Sequence, residues 1–259
     1  MQAGRQLEAQ LCCRRALAAD AQHADTLHLM GLLSLHANQR DHALEWIARA
    51  IRQDPRPEYL ASLGTALQQL ARYGEALQAF DKAVQLRPDD TELWRQLGDI
   101  LVQLERYDQA LLSYRHVLKL NPDHPDALYK SGALLNQFGR YAEAMAQLDR
   151  ADQMLPDHAP TLQARARTLH NLKRFEESVA EGKRAHRLDP GNAETCNNIG
   201  AALRLLGRDQ EALQWFDKAL ALRPGSVETL NNKIISLYDL QRFDEVFAIY
   251  DRMKSLGLN

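Results

Sequence analysis

Six prolines recur at an almost constant interval along this 259-residue chain. They are Pro55, Pro88, Pro122, Pro156, Pro190 and Pro224, and neighbouring members lie 33 or 34 residues apart. Self-similarity with a period of about 20 to 50 residues is typical of an array of stacked structural units. The spacing therefore favours a repeat architecture over a single compact core.

Small residues follow the same period. Twenty-four residues before the prolines stand Gly31, Gly64, Gly98, Gly132, Ala166 and Gly200. Twelve residues before them stand Ala43, Ala76, Ala110, Ala144, Ser178 and Ala212, and five residues before them Ala50, Ala83, Val117, Ala151, Ala185 and Ala219. Because two helices approach closely only where side chains are small, each unit is predicted to be a helical hairpin. A seventh unit continues with Ile234, Val246 and Met253 but has no closing proline.

Larger apolar residues fill the rest of each predicted hairpin. On the first helix they are spaced three and four apart, as one face of a helix requires, for example Cys196, Ile199 and Leu203. Equivalent places on the second helix hold Phe80, Tyr114, Leu148, Phe216 and Tyr250. Glycine is predicted to end two of the first helices, at Gly139 and Gly207, and proline follows the second helices.

This pattern of Trp or Leu, Leu, Gly, Leu, Ala, Phe or Tyr, Ala and Pro resembles the tetratricopeptide repeat over residues 24–256. The resemblance implies an all-α, right-handed superhelical solenoid of antiparallel helix pairs, with the first helices lining an inner groove. We expect one array over residues 1–259, with units at 24–56, 57–90, 91–124, 125–158, 159–192, 193–226 and 227–259. Residues 1–23 fit the second half of an earlier unit, with Ala9, Cys13 and Ala16 at packed positions.

Composition and motifs restrict the function. The net charge of −2 offers no general attraction for nucleic acid or an anionic membrane, and no apolar stretch approaches the roughly 20 residues of a membrane span. Three cysteines without a Cys-x-x-Cys pair, and nine histidines without a ligand spacing, predict neither disulfides nor a metal or cofactor site. We therefore expect a cytoplasmic chain that has no catalytic site of its own.

First-helix residues that avoid the packed face are expected to line a peptide-binding groove. They are Arg95, Asp99, Gln103, Tyr129, Asn136, Gln137, Arg167, His170, Asn171, Asn197, Asn198, Arg204, Asn231, Asn232 and Tyr238. Amides recur among them, and an amide both donates and accepts hydrogen bonds, as the main chain of an extended peptide requires. The sequence thus predicts a protein-interaction scaffold with a protein or peptide ligand.

Two alternatives concern the role of the array. The pairs Asn197-Asn198 and Asn231-Asn232 resemble the repeats of O-linked N-acetylglucosamine transferases and their bacterial relatives, which implies a substrate-presenting arm of a larger glycosyltransferase. Its catalytic domain would lie outside these 259 residues. The clamp with which chaperone adaptors bind a terminal carboxylate is not expected, because no unit supplies the required Lys and Asn pair.

Self-association is a further possibility that the last unit raises. Ile234, Phe247 and Ile249 are expected to be exposed there, without a polar helix to cover them. Such exposed apolar residues would allow copies of the chain to associate through the ends of the array.

Overall fold

The computed structural model describes residues 2–255 and residue 257, and over these residues α-helices are joined by short turns, without any strand. The fifteen helices are α1 (Gln2–Ala19), α2 (Ala24–His36), α3 (Arg40–Gln53), α4 (Pro57–Gln69), α5 (Tyr73–Leu86), α6 (Thr91–Gln103), α7 (Tyr107–Leu120), α8 (Pro125–Gln137), α9 (Tyr141–Met154), α10 (Ala159–Asn171), α11 (Phe175–Leu188), α12 (Ala193–Leu205), α13 (Asp209–Leu222), α14 (Val227–Asp239) and α15 (Phe243–Ser255). The all-α prediction is confirmed. In α1, Cys13 is buried as predicted, whereas Ala16, also predicted to be packed, is exposed.

The helices form two compact units, Met1–Pro122 with α1 to α7 and Asp123–Asn259 with α8 to α15. Within each unit, every even-numbered first helix packs against the odd-numbered second helix that follows it. Neighbouring first helices also touch, since α2 contacts α4, and α10 contacts both α8 and α12. We call the side formed by the first helices the first-helix face of a unit.

A close contact between a glycine and a large side chain holds each regular hairpin together. Gly64 lies against the ring of Phe80, and a methyl group added at this glycine would lie 2.7 Å from that ring. The same contact, sixteen residues apart, occurs in four other hairpins: Gly31 with Ile47, Gly98 with Tyr114, Gly132 with Leu148, and Gly200 with Phe216. The large partner is fully or almost fully buried in every case.

The fifth hairpin exchanges the sizes of these two partners. Ala166 replaces the glycine and Gly182 replaces the large residue. The space beside Gly182 is filled by Ile199 of the next hairpin, because a methyl group added at Gly182 would lie 2.6 Å from that side chain. Helix α11 therefore remains continuous through this glycine.

The last hairpin shows where the sequence prediction was wrong. Ile234 takes the place of the glycine, and its side chain, predicted to be exposed, is partly buried against the apolar cluster of the last hairpin. As a result Tyr250, predicted to be packed, is 53% exposed, while Ile249, predicted to be exposed, is buried. The prediction for Phe247 is confirmed, since it is 67% exposed beside the half-exposed Phe243.

The turns between first and second helices share one conformation. The second residue after each first helix has a positive φ, including Gly139 and Gly207, as predicted, and the non-glycine residue Ala71. After α8, the Arg140 N–H donates to the Leu135 carbonyl at 2.9 Å, which satisfies a carbonyl that the helix end would otherwise leave unpaired. This turn reverses the chain within three residues in every hairpin.

First helices begin with a side-chain cap in several units. Asp90, Asn192 and Ser226 each accept a hydrogen bond from a main-chain N–H of the first turn. The imidazoles of His23 and His124 occupy the equivalent positions and accept from the N–H groups of Thr26 and Ala127. These histidines therefore have a structural role at the helix starts.

The close glycine contact gives a matched pair of stability predictions on one hairpin. Gly64→Ala forces Phe80 to move and should lower the free energy of unfolding by about 1–3 kcal/mol. Gly74→Ala, in α5 with nothing within 4 Å of the added methyl, should raise it by about 0.5–1 kcal/mol through better helix propensity. Urea denaturation followed by circular dichroism measures both, and equal effects of the two variants would contradict the packing account.

Candidate functional site

Two adjoining pockets lie on the first-helix face of the second unit. One has a volume of about 210 Å³ and the other of about 280 Å³. The first is lined by Tyr129, Pro160, Gln163, Ala164, Arg167, Glu194, Thr195 and Asn198. The second is lined by Arg167, Ala193, Glu194, Asn197, Asn198, Arg223, Ser226, Glu228 and Thr229. Because they share Arg167, Glu194 and Asn198, the two pockets form a continuous recess over α10, α12 and α14, which we call the recess.

Small residues and charged residues alternate around the recess. Ala164 is buried in its wall on α10, and Ala193 leaves space at the start of α12. Arg167 approaches Glu194 at 3.9 Å, and both side chains are about half exposed or more, so that this ion pair contributes little to stability. A ligand can therefore displace either partner at low cost.

Asn198 occupies the junction of the two pockets. Its side chain is partly exposed and makes no hydrogen bond to any described residue, and the residue lines both pockets. An amide in this state can bond the C=O and the N–H of an added main chain simultaneously.

The neighbouring Asn197 is only 4% exposed and is already engaged. Its Nδ2 donates to Glu228 at 2.9 Å, and its Oδ1 accepts from the Asn232 amide at 3.1 Å. Asn171 donates in the same way to the buried Asn136, at 2.9 Å. These four predicted groove amides therefore connect neighbouring first helices, α8 with α10 and α12 with α14.

The remaining predicted groove residues of the second unit spread along its first helices. Tyr129 lies at one end of the recess, where burial raises the pKa of its phenol. His170 packs edge-on against Phe175, and Tyr238 against Phe243, nearer the carboxyl ends of α10 and α14. The other three do not line the recess: Arg204 is partly exposed, and Gln137 and Asn231 are exposed.

In the first unit the predicted residues bind one another. Arg95 donates to Asp99 at 2.6 Å, and Asp99 also accepts from the hydroxyl of Tyr114 at 2.6 Å. Gln103 is exposed at the end of α6. The bonds of Arg95 and Tyr114 to Asp99 therefore join helices α6 and α7 of one hairpin.

Polar contacts that the sequence did not indicate also connect first helices in the first unit. His28 Nε2 lies 2.8 Å from Ser62 Oγ, and the Tyr59 hydroxyl donates a short hydrogen bond to Asp25. Burial and this carboxylate raise the pKa of Tyr59 to about 12. In the sequence, the partners of each contact are polar residues 34 positions apart, Asp25 with Tyr59 and His28 with Ser62, and this spacing could have indicated the contacts.

A contact between Cys196 and His186 among the described residues does not fit a reactive thiol. Cys196 Sγ lies 3.5 Å from His186 Nδ1, but the thiol is fully buried and its burial raises the pKa. A buried thiol with a raised pKa remains protonated and is a poor nucleophile.

The described residues contain no group of three or more His, Cys, Asp or Glu suited to a metal ion. No helix among them is long and apolar enough to span a bilayer.

The surroundings of His170 predict a pH effect. Burial and the positive charge of Arg204 lower the pKa of this imidazole, and the Nε of Arg204 is itself buried without a hydrogen-bond partner in the described chain. Since the unfolded chain binds the proton more readily, the free energy of unfolding should fall as the pH drops below about 6.5. NMR titration of the His170 resonance gives the pKa of the imidazole, which should lie below its ordinary value. Arg204→Gln should raise this pKa. An unchanged pKa in that variant would refute the proximity effect.

Comparisons with known proteins agree with this architecture. The sequence model described as tetratricopeptide repeat matches residues 28–91, 61–115 and 95–159, and a second model of the same description matches 193–226. No curated protein sequence matches the chain.

Solved structures share the fold at low sequence identity. YrrB, described as a TPR protein with an unusual peptide-binding site, aligns with a TM-score of 0.63 at 21% identity, over 72% of this chain and 97% of its own. MamA from Desulfovibrio magneticus RS-1 aligns with 0.61 at 22%, over 66% and 97%. A repeat protein from Parabacteroides merdae aligns with 0.70 at 17%, over 91% and 94%. With its hairpins and repeat motifs matched over more than half of its length, the chain belongs to the tetratricopeptide-repeat family.

Proposed function

We propose that the chain is a protein-interaction scaffold that binds an extended segment of a partner polypeptide in the recess on the second unit. The observation that carries this proposal is the unpaired, partly exposed amide of Asn198 at the junction of two connected pockets. A segment crossing α10, α12 and α14 would pass this amide and bond it through its main chain.

The charges around the recess add a preference for the side chains of the ligand. Arg167 and Arg223 can pair with carboxylates, and Glu194 and Glu228 can pair with basic groups. Both signs occur within one pocket, so that we expect a ligand segment of mixed charge. Similarity to YrrB, which is described as having a peptide-binding site, supports a peptide ligand for this chain as well.

Adjacent asparagines give a matched test of the proposal. Asn198→Ala should weaken ligand binding roughly 2- to 10-fold, the worth of one or two hydrogen bonds, and leave the melting temperature unchanged. Asn197→Ala should instead lower the free energy of unfolding by about 1–3 kcal/mol, because it leaves the amide of Asn232 and the carboxylate of Glu228 without their partner.

The ligand for this test is a peptide selected on the wild-type chain from a displayed random library and then fluorescently labelled. Fluorescence anisotropy gives its affinity for each variant, and thermal unfolding gives stability. If Asn198→Ala and Arg167→Ala both bind the selected peptide as tightly as the wild type, the recess is not the binding site.

The substrate-presenting role in a larger glycosyltransferase stays a prediction.

We also propose that copies of the chain associate through the aromatic side chains exposed on α14 and α15. Tyr238, Phe243, Phe247 and Tyr250 are each about half exposed or more, which is unusual for aromatic residues close together on one hairpin. Burying these rings would remove apolar area from water.

Replacing the most exposed ring tests this association. Phe247→Lys should reduce the concentration-dependent increase in mean mass measured by light scattering at two protein concentrations, because it removes apolar area and adds a charge. The control is Phe138→Lys, another partly exposed phenylalanine outside α14 and α15. A wild-type chain that is monomeric at both concentrations would refute the proposal.

A further inference from the structure

A third pocket lies in the first unit, on the side of the second helices α5 and α7. It has a volume of about 410 Å³ and its floor consists of Leu97 and Leu101 of α6. Leu77, Gln78, Asp81, Arg106, Gln109 and Ser113 form its walls. None of its residues belongs to the predicted groove, and none lines the recess.

Equivalent positions elsewhere in the chain are filled by the protein itself. Two repeats later, the places of Asp81, Leu97 and Ser113 hold Asp149, Arg165 and Glu181, and the arginine makes ion pairs with both carboxylates, at 3.0 and 3.2 Å.

In the following repeat the place of Ser113 holds Trp215, whose ring packs on the cluster around Val179 and Ile199. The small side chain of Ser113 leaves the first-unit pocket open, although the leucine floor beneath it is retained.

The arginine at the rim of this pocket differs from its counterparts. Six hairpins carry an arginine immediately before the second helix, and five of these pair with a glutamate three residues later: Arg72–Glu75, Arg140–Glu143, Arg174–Glu177, Arg208–Glu211 and Arg242–Glu245. In the sixth, the glutamate is replaced by Gln109, and Arg106 has no ion pair within the described residues. The rim carboxylate Asp81 already accepts a hydrogen bond from Gln85 at 2.8 Å.

We propose that this pocket is a second docking site, for a partner protein segment that inserts an aliphatic side chain between α5 and α7 and places a carboxylate against Arg106. The leucine floor provides the apolar contact, and the unpaired guanidinium provides the charge complementarity. An arginine beside a leucine-lined pocket would recognise both the aliphatic side chain and the carboxylate of one amphipathic helix. The site lies in a different unit from the recess, so that the two proposals can fail separately.

Two labelled helix-forming peptides of twelve residues probe the full chain. Both carry a central leucine, which is flanked at three and four residues by glutamates in one peptide and by lysines in the other. Fluorescence anisotropy should show saturable binding of the glutamate peptide alone. Gln109→Glu, which supplies Arg106 with the partner found in the other five hairpins, should weaken this binding about fivefold, the effect of one exposed charge pair, without lowering the melting temperature.

Further variants separate the charge, the apolar floor and the other site. Arg106→Ala should weaken binding like Gln109→Glu, and Leu77→Gln should weaken it by disturbing the apolar wall. Arg140→Ala, the matched change in the second unit, and Asn198→Ala in the recess should leave it unchanged. The proposal is overturned if the glutamate peptide shows no saturable binding, if the lysine peptide binds as well, or if Gln109→Glu and Arg106→Ala both bind like the wild type.

Discussion

The close approach of two helices at a glycine is the contact on which the rest of this structure depends. Where Gly64, Gly98 or Gly200 meets an aromatic ring, the absence of a side chain lets the second helix lie against the first, and the ring fills the space between them. The short turn can then close, and the prolines and caps only set where each helix begins and ends. Side chains that point away from this contact are free to differ between hairpins, and these differences create the pockets.

The hairpins could be predicted from the sequence because this contact leaves a fixed trace, a small residue and a large one sixteen positions apart. In the last hairpin, where one partner of the pair changed, the prediction was wrong. Tyr250 matched the pattern when considered alone, but the residue sixteen positions before it is Ile234, which leaves no glycine space for a ring. The tyrosine therefore lies at the surface, and Ile249 is buried instead. A residue in such a pair has to be assigned together with its partner.

The candidate site was harder to predict, because it depends on contacts between repeats. The expected groove amides Asn197 and Asn232 lie 35 residues apart, which places them on adjoining first helices, where two amides can bond each other. Asn198, one position further, points about 100° around the helix axis and faces the recess. A helix considered singly cannot distinguish these two asparagines, and the lining of the recess combines residues from α8, α10, α12 and α14.

The contact between Gly182 and Ile199 joins the fifth hairpin to the sixth, which follows it in the chain. In the regular hairpins the large side chain that fills the glycine space belongs to the same hairpin. The fifth hairpin instead receives Ile199 from the sixth, and its own core is incomplete until that neighbour has docked. The packing around Gly182 in the fifth hairpin is therefore completed by a segment that the ribosome makes later, whereas the sixth hairpin supplies Phe216 for its own glycine contact.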